Sequence, residues 1–133
     1  MSRTFRTVLL TLAAGSVLAS PAVGARERIS GQEKLAKMLE GRVAGEPTNC
    51  IRTFPSSNLT IIDGTALVYR QGSTLWVNVP ADAKSLNDRD AILTRPHGNQ
   101  LCSTDIVTTF EPSVGFYTGN IFLGKFVPYR KAG

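Results

Sequence analysis

Residues 59–79 read LTIIDGTALVYRQGSTLWVNV, and the way this stretch turns back on itself decides the fold. Apolar and polar residues alternate with a period of two through Leu59–Ile62, Thr65–Arg70 and Ser73–Val79, the spacing of strands. Asp63-Gly64 and Gln71-Gly72 separate these runs. Asp-Gly is favoured in two-residue hairpin loops, where both loop positions take positive φ. With two such loops the register is fixed: Ile61 faces Ala66, Leu59 and Leu75 face Val68, and Val77 faces Ala66. One side of the meander is then wholly apolar, with Leu59, Ile61, Ala66, Val68, Leu75, Val77 and Val79. The other is mixed, with Thr60, Ile62, Thr65, Leu67, Tyr69, Thr74, Trp76 and Asn78.

The mixed side is too apolar for open water and too polar for an ordinary dry core. Two expectations follow. Either a helix or the C-terminal strands cover it, or it forms a partly open groove in which Tyr69, Trp76 and Asn78 meet a ligand, since amphipathic rings suit half-wet sites.

N-terminal to the meander, Ser30-Gly31-Gln32-Glu33 matches a capping box. Leu35, Met38 and Leu39 follow at helical spacing, and Gly41 stands where a left-handed residue would end the helix. This narrow stripe predicts a helix lying on a sheet. Cys50–Phe54 reads as a strand stopped by Pro55-Ser56-Ser57. Beyond the meander, Pro80–Gln100 reads as a long connection containing a brief strand at Ala91–Thr94, and Asp105–Glu111 alternates weakly. Val114–Tyr117 and Ile121–Val127 suggest a last hairpin around Thr118-Gly119-Asn120. The expected class is α+β, mainly β: an antiparallel sheet or small partly open barrel of six to seven strands with one N-terminal helix.

Arg3 and Arg6, the apolar run Val8–Ala19 and the small residues Val23-Gly24-Ala25 have the three parts of a secretory leader, predicting cleavage after Ala25. The run is short of the roughly 20 residues that span a bilayer, and no cysteine near it offers a lipid acceptor. Residues 26–133 then form one small domain with its core in 47–128, periplasmic or secreted, with no membrane span after cleavage. Without the leader's two arginines the excess of basic over acidic side chains falls from 5 to about 3. The positive charges are scattered and no aromatics interleave with them, so nucleic acid is not an expected partner.

Cys50 and Cys102 are the only cysteines. In an oxidising compartment an even count in a small domain points to a disulfide. The competing reading makes Cys102 a nucleophile served by His97, the single histidine, in Arg95-Pro96-His97-Gly98-Asn99. One histidine and two distant cysteines give no metal-ligand spacing, and no cofactor motif is present.

Cys50-Ile51, Asp63, Leu67-Val68-Tyr69, Asn78, Leu101-Cys102 with Asp105, and Leu123-Gly124-Lys125-Phe126-Val127-Pro128 together resemble a family of small exported proteobacterial proteins classed as a domain of unknown function, over roughly residues 49–128. Many members carry a further cysteine pair, for which Ala81–Leu86 and Asn120–Phe122 here supply no partner. The resemblance implies a β-rich exported fold and a Cys50–Cys102 bridge, and it implies no activity.

The expected function is a non-enzymatic binding or interaction module held by one disulfide, whose partner is an envelope protein or a small ligand. The alternatives are a small secreted hydrolase or nuclease, drawing on Arg95, His97 and Glu111, and a structural envelope component. No catalytic cluster is legible.

Overall fold

A computed structural model of the chain describes residues 29–53, 58–96 and 98–133. The expected leader of residues 1–25, Phe54 with the Pro55-Ser56-Ser57 break, and His97 lie outside these.

The helix forms where the capping box puts it. α1 spans Gly31–Leu39, and the backbone N–H of Glu33 donates to the Ser30 hydroxyl at 3.2 Å. Gly41 follows with φ +69°, the left-handed geometry that ends a helix without a Cβ penalty. Gly31 sits so close to Thr65 and the Asp63 carbonyl that a Cβ would collide with both, which seats the helix start on the first turn of the meander.

The meander is present, in a register different from the expected one. β3 (Asn58–Ile62) pairs with β4 (Ala66–Gln71), and β4 with β5 (Thr74–Asn78). The first loop has three residues, Asp63-Gly64-Thr65, so Ile62 stands opposite Ala66, and Thr60 opposite Val68. Only Gly64 takes positive φ (+58°). The Thr65 hydroxyl donates to the Asp63 carbonyl at 2.9 Å, which keeps Thr65 in the loop and out of the strand. A slip of one residue exchanges the faces of β3. Ile62 therefore joins the apolar side, and Leu59 and Ile61 join the mixed side.

The second loop is Gly72-Ser73, with Gly72 at φ +54°, so Val68 faces Val77 instead of Leu75. That slip is of two residues and leaves β4 and β5 on their expected faces. Val79 falls beyond β5 and is 55% exposed, contrary to its expected burial.

β10 (Phe126–Lys131) completes the sheet beside β5, and β1 (Arg42–Ala44) flanks β10, giving the order β1-β10-β5-β4-β3. β2 (Cys50–Arg52) pairs with β7 (Gln100–Cys102), and β6 (Ala91–Thr94), β8 (Ile106–Glu111) and β9 (Phe116–Phe122) form a third sheet in the order β6-β8-β9. All pairings are antiparallel and no barrel closes. The chain is thus mainly β with one α-helix among the described residues.

Two cores lie on either side of the five-stranded sheet. Ile62, Ala66, Val68, Leu75 and Val77 pack under Leu35, Met38 and Leu39 of α1. On the far side Leu67, Tyr69 and Phe126 pack with Ile51 and Leu101 of the two-stranded sheet and with Val107 and Ile121 of the three-stranded one. Leu86 is drawn into this second core, and its carbonyl accepts from the Gly64 N–H at 2.9 Å, tying the long connection to the first turn.

The expected last hairpin is corrected. Thr118-Gly119-Asn120 lies inside β9, where a register shift between Thr109 and Phe110 marks a bulge, and the turn is made by residues 112–115. The Glu111 carboxylate accepts from the Ser113 hydroxyl, from Ser113 N–H at 3.2 Å and from Val114 N–H at 3.1 Å. These bonds, the Ser113 hydroxyl foremost, hold its pKa below the ordinary carboxylate value. Residues after Phe122 leave for β5 at Leu123-Gly124-Lys125, a separation in sequence that local turn chemistry does not disclose.

Candidate functional site

The candidate residues Tyr69, Trp76 and Asn78 do share one face, with Tyr69 directly opposite Trp76. That face is covered by the C-terminal strands, the first of the two expectations. Tyr69 is buried, packed edge-on against Phe126 with ring centroids 5.9 Å apart. Asn78 is fully buried. Its Nδ2 donates to the Gly124 carbonyl at 2.7 Å and its Oδ1 accepts from the Gly124 N–H at 3.0 Å. The amide is thereby engaged across 46 residues, clasping β5 to the start of β10. A Cβ on Gly124 would run into the Val79 carbonyl, so the clasp requires glycine. Trp76 alone of the three keeps partial exposure, between Tyr69 and Pro128.

The Tyr69 hydroxyl is closed off from solvent and has no hydrogen-bond partner among the described residues. Burial pushes the phenol far above its ordinary value of 10.0. Because the unfolded chain ionises near 10 and the folded chain does not, the group leaves stability independent of pH below that value and lowers it progressively as pH rises above it. Tyr69→Phe is expected to raise stability at neutral pH by about 1 kcal/mol, by removing an unpaired buried donor. It should also flatten the decline in stability above pH 10, measured by denaturant titration across the alkaline range. An unchanged alkaline decline in the phenylalanine variant would show that groups other than the Tyr69 phenol cause it.

Cys50 and Cys102 face each other across β2 and β7 and are joined by a disulfide, with Cα atoms 4.0 Å apart. No free cysteine remains among the described residues, which overturns the nucleophile reading of Cys102. The bridge is compatible with a non-cytoplasmic protein. Among the described residues no helix is long and apolar enough to cross a membrane.

Arg95 and Glu111 do not meet. In the β6–β8 register Thr94 lies opposite Val107 and Ala91 opposite Phe110, so Arg95 follows one end of the paired region and Glu111 follows the other. At about 3.3 Å per residue their backbones are separated by roughly 15 Å. Among the described residues no three His, Cys, Asp or Glu side chains gather to hold a metal. A depression of about 690 Å³ at the α1 N-terminus is lined by Lys34 and Arg89 and also by Asp63 and Asp88, so its charges oppose one another.

A different surface stands out. β6, β8 and β9 turn Val107, Thr109 and Ile121 inward, and the alternate residues point away from the body. Three cross-strand rows result on the outer side: Ile106 with Phe122; Leu93, Thr108 and Asn120; and Ala91, Phe110 and Tyr117. Leu93, Ile106, Tyr117 and Phe122 are 48–59% exposed. At the hairpin tip Val114 is 77% exposed, and Phe116, 70% exposed, pairs with Glu111 and so points to the side of the sheet opposite to Tyr117. Sequence reasoning missed it because β8 and β9 are apolar on both sides, a pattern that ordinarily marks a strand buried on both faces. The legible signal was the outward parity of Ile106 and Phe110 against Val107.

Known family models, curated proteins and solved structures offer no match to this chain.

Proposed function

We propose that this is an exported, non-enzymatic interaction module of the cell envelope, related to the family whose motifs residues 49–128 resemble, and that it engages a protein partner through the outer face of the β6-β8-β9 sheet. One observation carries the reading. A small chain leaves Ile106 and Phe122 exposed on one side of Thr108 and Asn120, Tyr117 on the other and Leu93 beside them, all on one face of the sheet. Contiguous exposed apolar patches of this kind mark interaction sites. The leader-like residues 1–25 and the disulfide support export.

The interaction surface differs from the one expected from sequence, because Tyr69 and Asn78 are committed to the interior. Immobilised mature protein is expected to retain an envelope protein that Phe122→Glu fails to retain, while Trp76→Ala retains it. Equal recovery on Phe122→Glu would remove the proposal. The first residue of the exported protein should be Arg26, which N-terminal sequencing of the periplasmic or secreted fraction checks.

A further inference from the structure

Resting on that reading, we propose that the partner of this face is a second copy of the chain, packed sheet against sheet about a two-fold axis along the central row Leu93-Thr108-Asn120. Three features point to self-association. The first is area. A large aromatic carries roughly 150–250 Å² of surface, so Tyr117 and Phe122 with Leu93 and Ile106, each about half exposed or more, present on the order of 400 Å² of apolar surface per copy, to which the central row and Phe110 add, the size of a weak, concentration-dependent interface below the ~800 Å² that each partner gives a standard one.

The second is self-complementarity. The polar centre of the face is Thr108 and Asn120, whose Oγ1 and Oδ1 lie 3.4 Å apart. A hydroxyl and an amide each donate and accept, so this pair can meet its own image without stranding a donor or acceptor. Apolar rows lie on both sides of it. Rotation about the central row places Phe122 of one copy over Tyr117 of the other, and Ile106 over Phe110.

The third is charge. The three rows carry no charged residue, and the nearest cation by register is Arg95, just past β6. An axis along the row sends the two copies of Arg95 to opposite ends of the interface, whereas an axis along the strands would bring them to one end. An uncharged face also provides no electrostatic means of selecting an acidic or basic stranger. The free side of β9 is less suited to edge-to-edge pairing: the Ala81 N–H already donates to the Phe122 carbonyl at 3.1 Å, and the Thr118 hydroxyl donates to Asp90 at 2.8 Å.

The test uses the mature chain with its disulfide intact, and light scattering after size exclusion. Wild type is expected at twice the monomer mass at high micromolar concentration. Phe122→Lys and Tyr117→Glu should each run as monomers, with the far-UV spectrum and thermal midpoint of wild type confirming that these exposed positions leave the fold intact. Mixing the two variants should restore the doubled mass, since the axis along the row sets residue 122 of one copy over residue 117 of the other. A monomeric wild type overturns the proposal, and so does a wild-type dimer whose two variants do not recombine. If wild type is monomeric yet retains an envelope protein that Phe122→Glu loses, self-association fails while the interaction-module reading stands. If wild type is monomeric and retains nothing through this face, both fail.

Discussion

Replacing Cys50 and Cys102 together by serine is expected to lower the stability of the protein by about 4 kcal/mol, the chain-entropy value for a closed loop of 52 residues. In a chain of this size that corresponds to a fall of roughly 20 °C in the thermal midpoint. The loss is local as well as entropic. β2 and β7 are three residues each, and they deliver Ile51 and Leu101 to the far-side core, where both are almost fully buried. A two-stranded ribbon this short does not hold itself together in water. Native stability is commonly only 5–15 kcal/mol, so the double variant should show a much earlier urea midpoint, read by the fluorescence of Trp76, the only tryptophan. A loss under about 1 kcal/mol would mean that the bridge adds little to what strand pairing already fixes.

The second large effect lies at Asn78. Truncation to alanine strands the N–H and the carbonyl of Gly124 in the interior, where an unpaired buried polar group costs about 1–3 kcal/mol. A loss of about 3 kcal/mol is therefore expected for Asn78→Ala. Asn78→Asp should be no milder. It keeps an acceptor for the Gly124 N–H, loses the donor for the carbonyl and places a carboxyl in a fully buried position. Gly124→Ala breaks the same clasp from the other side by forcing a Cβ against Val79. The double variant should consequently lose much less than the sum of the two single changes. Additive losses in equilibrium unfolding would show that Asn78 and Gly124 do not act as one unit.

What could be read from the sequence was whatever chemistry is local. Ser30 and Glu33 start the helix, and Gly41 ends it. The two cysteines of the chain pair with each other. Asp63-Gly64 does mark a turn, yet the dipeptide alone does not distinguish a two-residue from a three-residue loop. The choice is made by the Thr65 hydroxyl, which bonds to Asp63, and by the Gly31 contact with that turn. One residue of difference was enough to move Leu59 and Ile61 to the opposite face.

Misreading Thr118-Gly119-Asn120 as a turn had a similar cause. A polar, glycine-containing run is as suitable for a bulged edge strand as for a loop, and the true turn is organised by Glu111, whose side-chain bonds become visible only when the hairpin is formed. The position of β10 against β5 brings together residues some 50 apart, and only this long-range pairing turns Asn78 from a candidate ligand contact into a backbone clasp. The aromatic constellation was read correctly as sharing a face. Which side of the sheet would be sealed depended on strands whose placement no local signal discloses.

The most direct measurement is hydroxyl-radical footprinting of the disulfide-bonded protein at a dilution that keeps copies apart. The outer sheet should be open and the Tyr69 face sealed, so Phe116, Tyr117 and Phe122 are expected to be modified rapidly, with Tyr69 and Phe126 protected until the chain unfolds. Modification of Tyr69 at the rate of Tyr117, or protection of Phe122 in the isolated chain, would contradict this arrangement of faces.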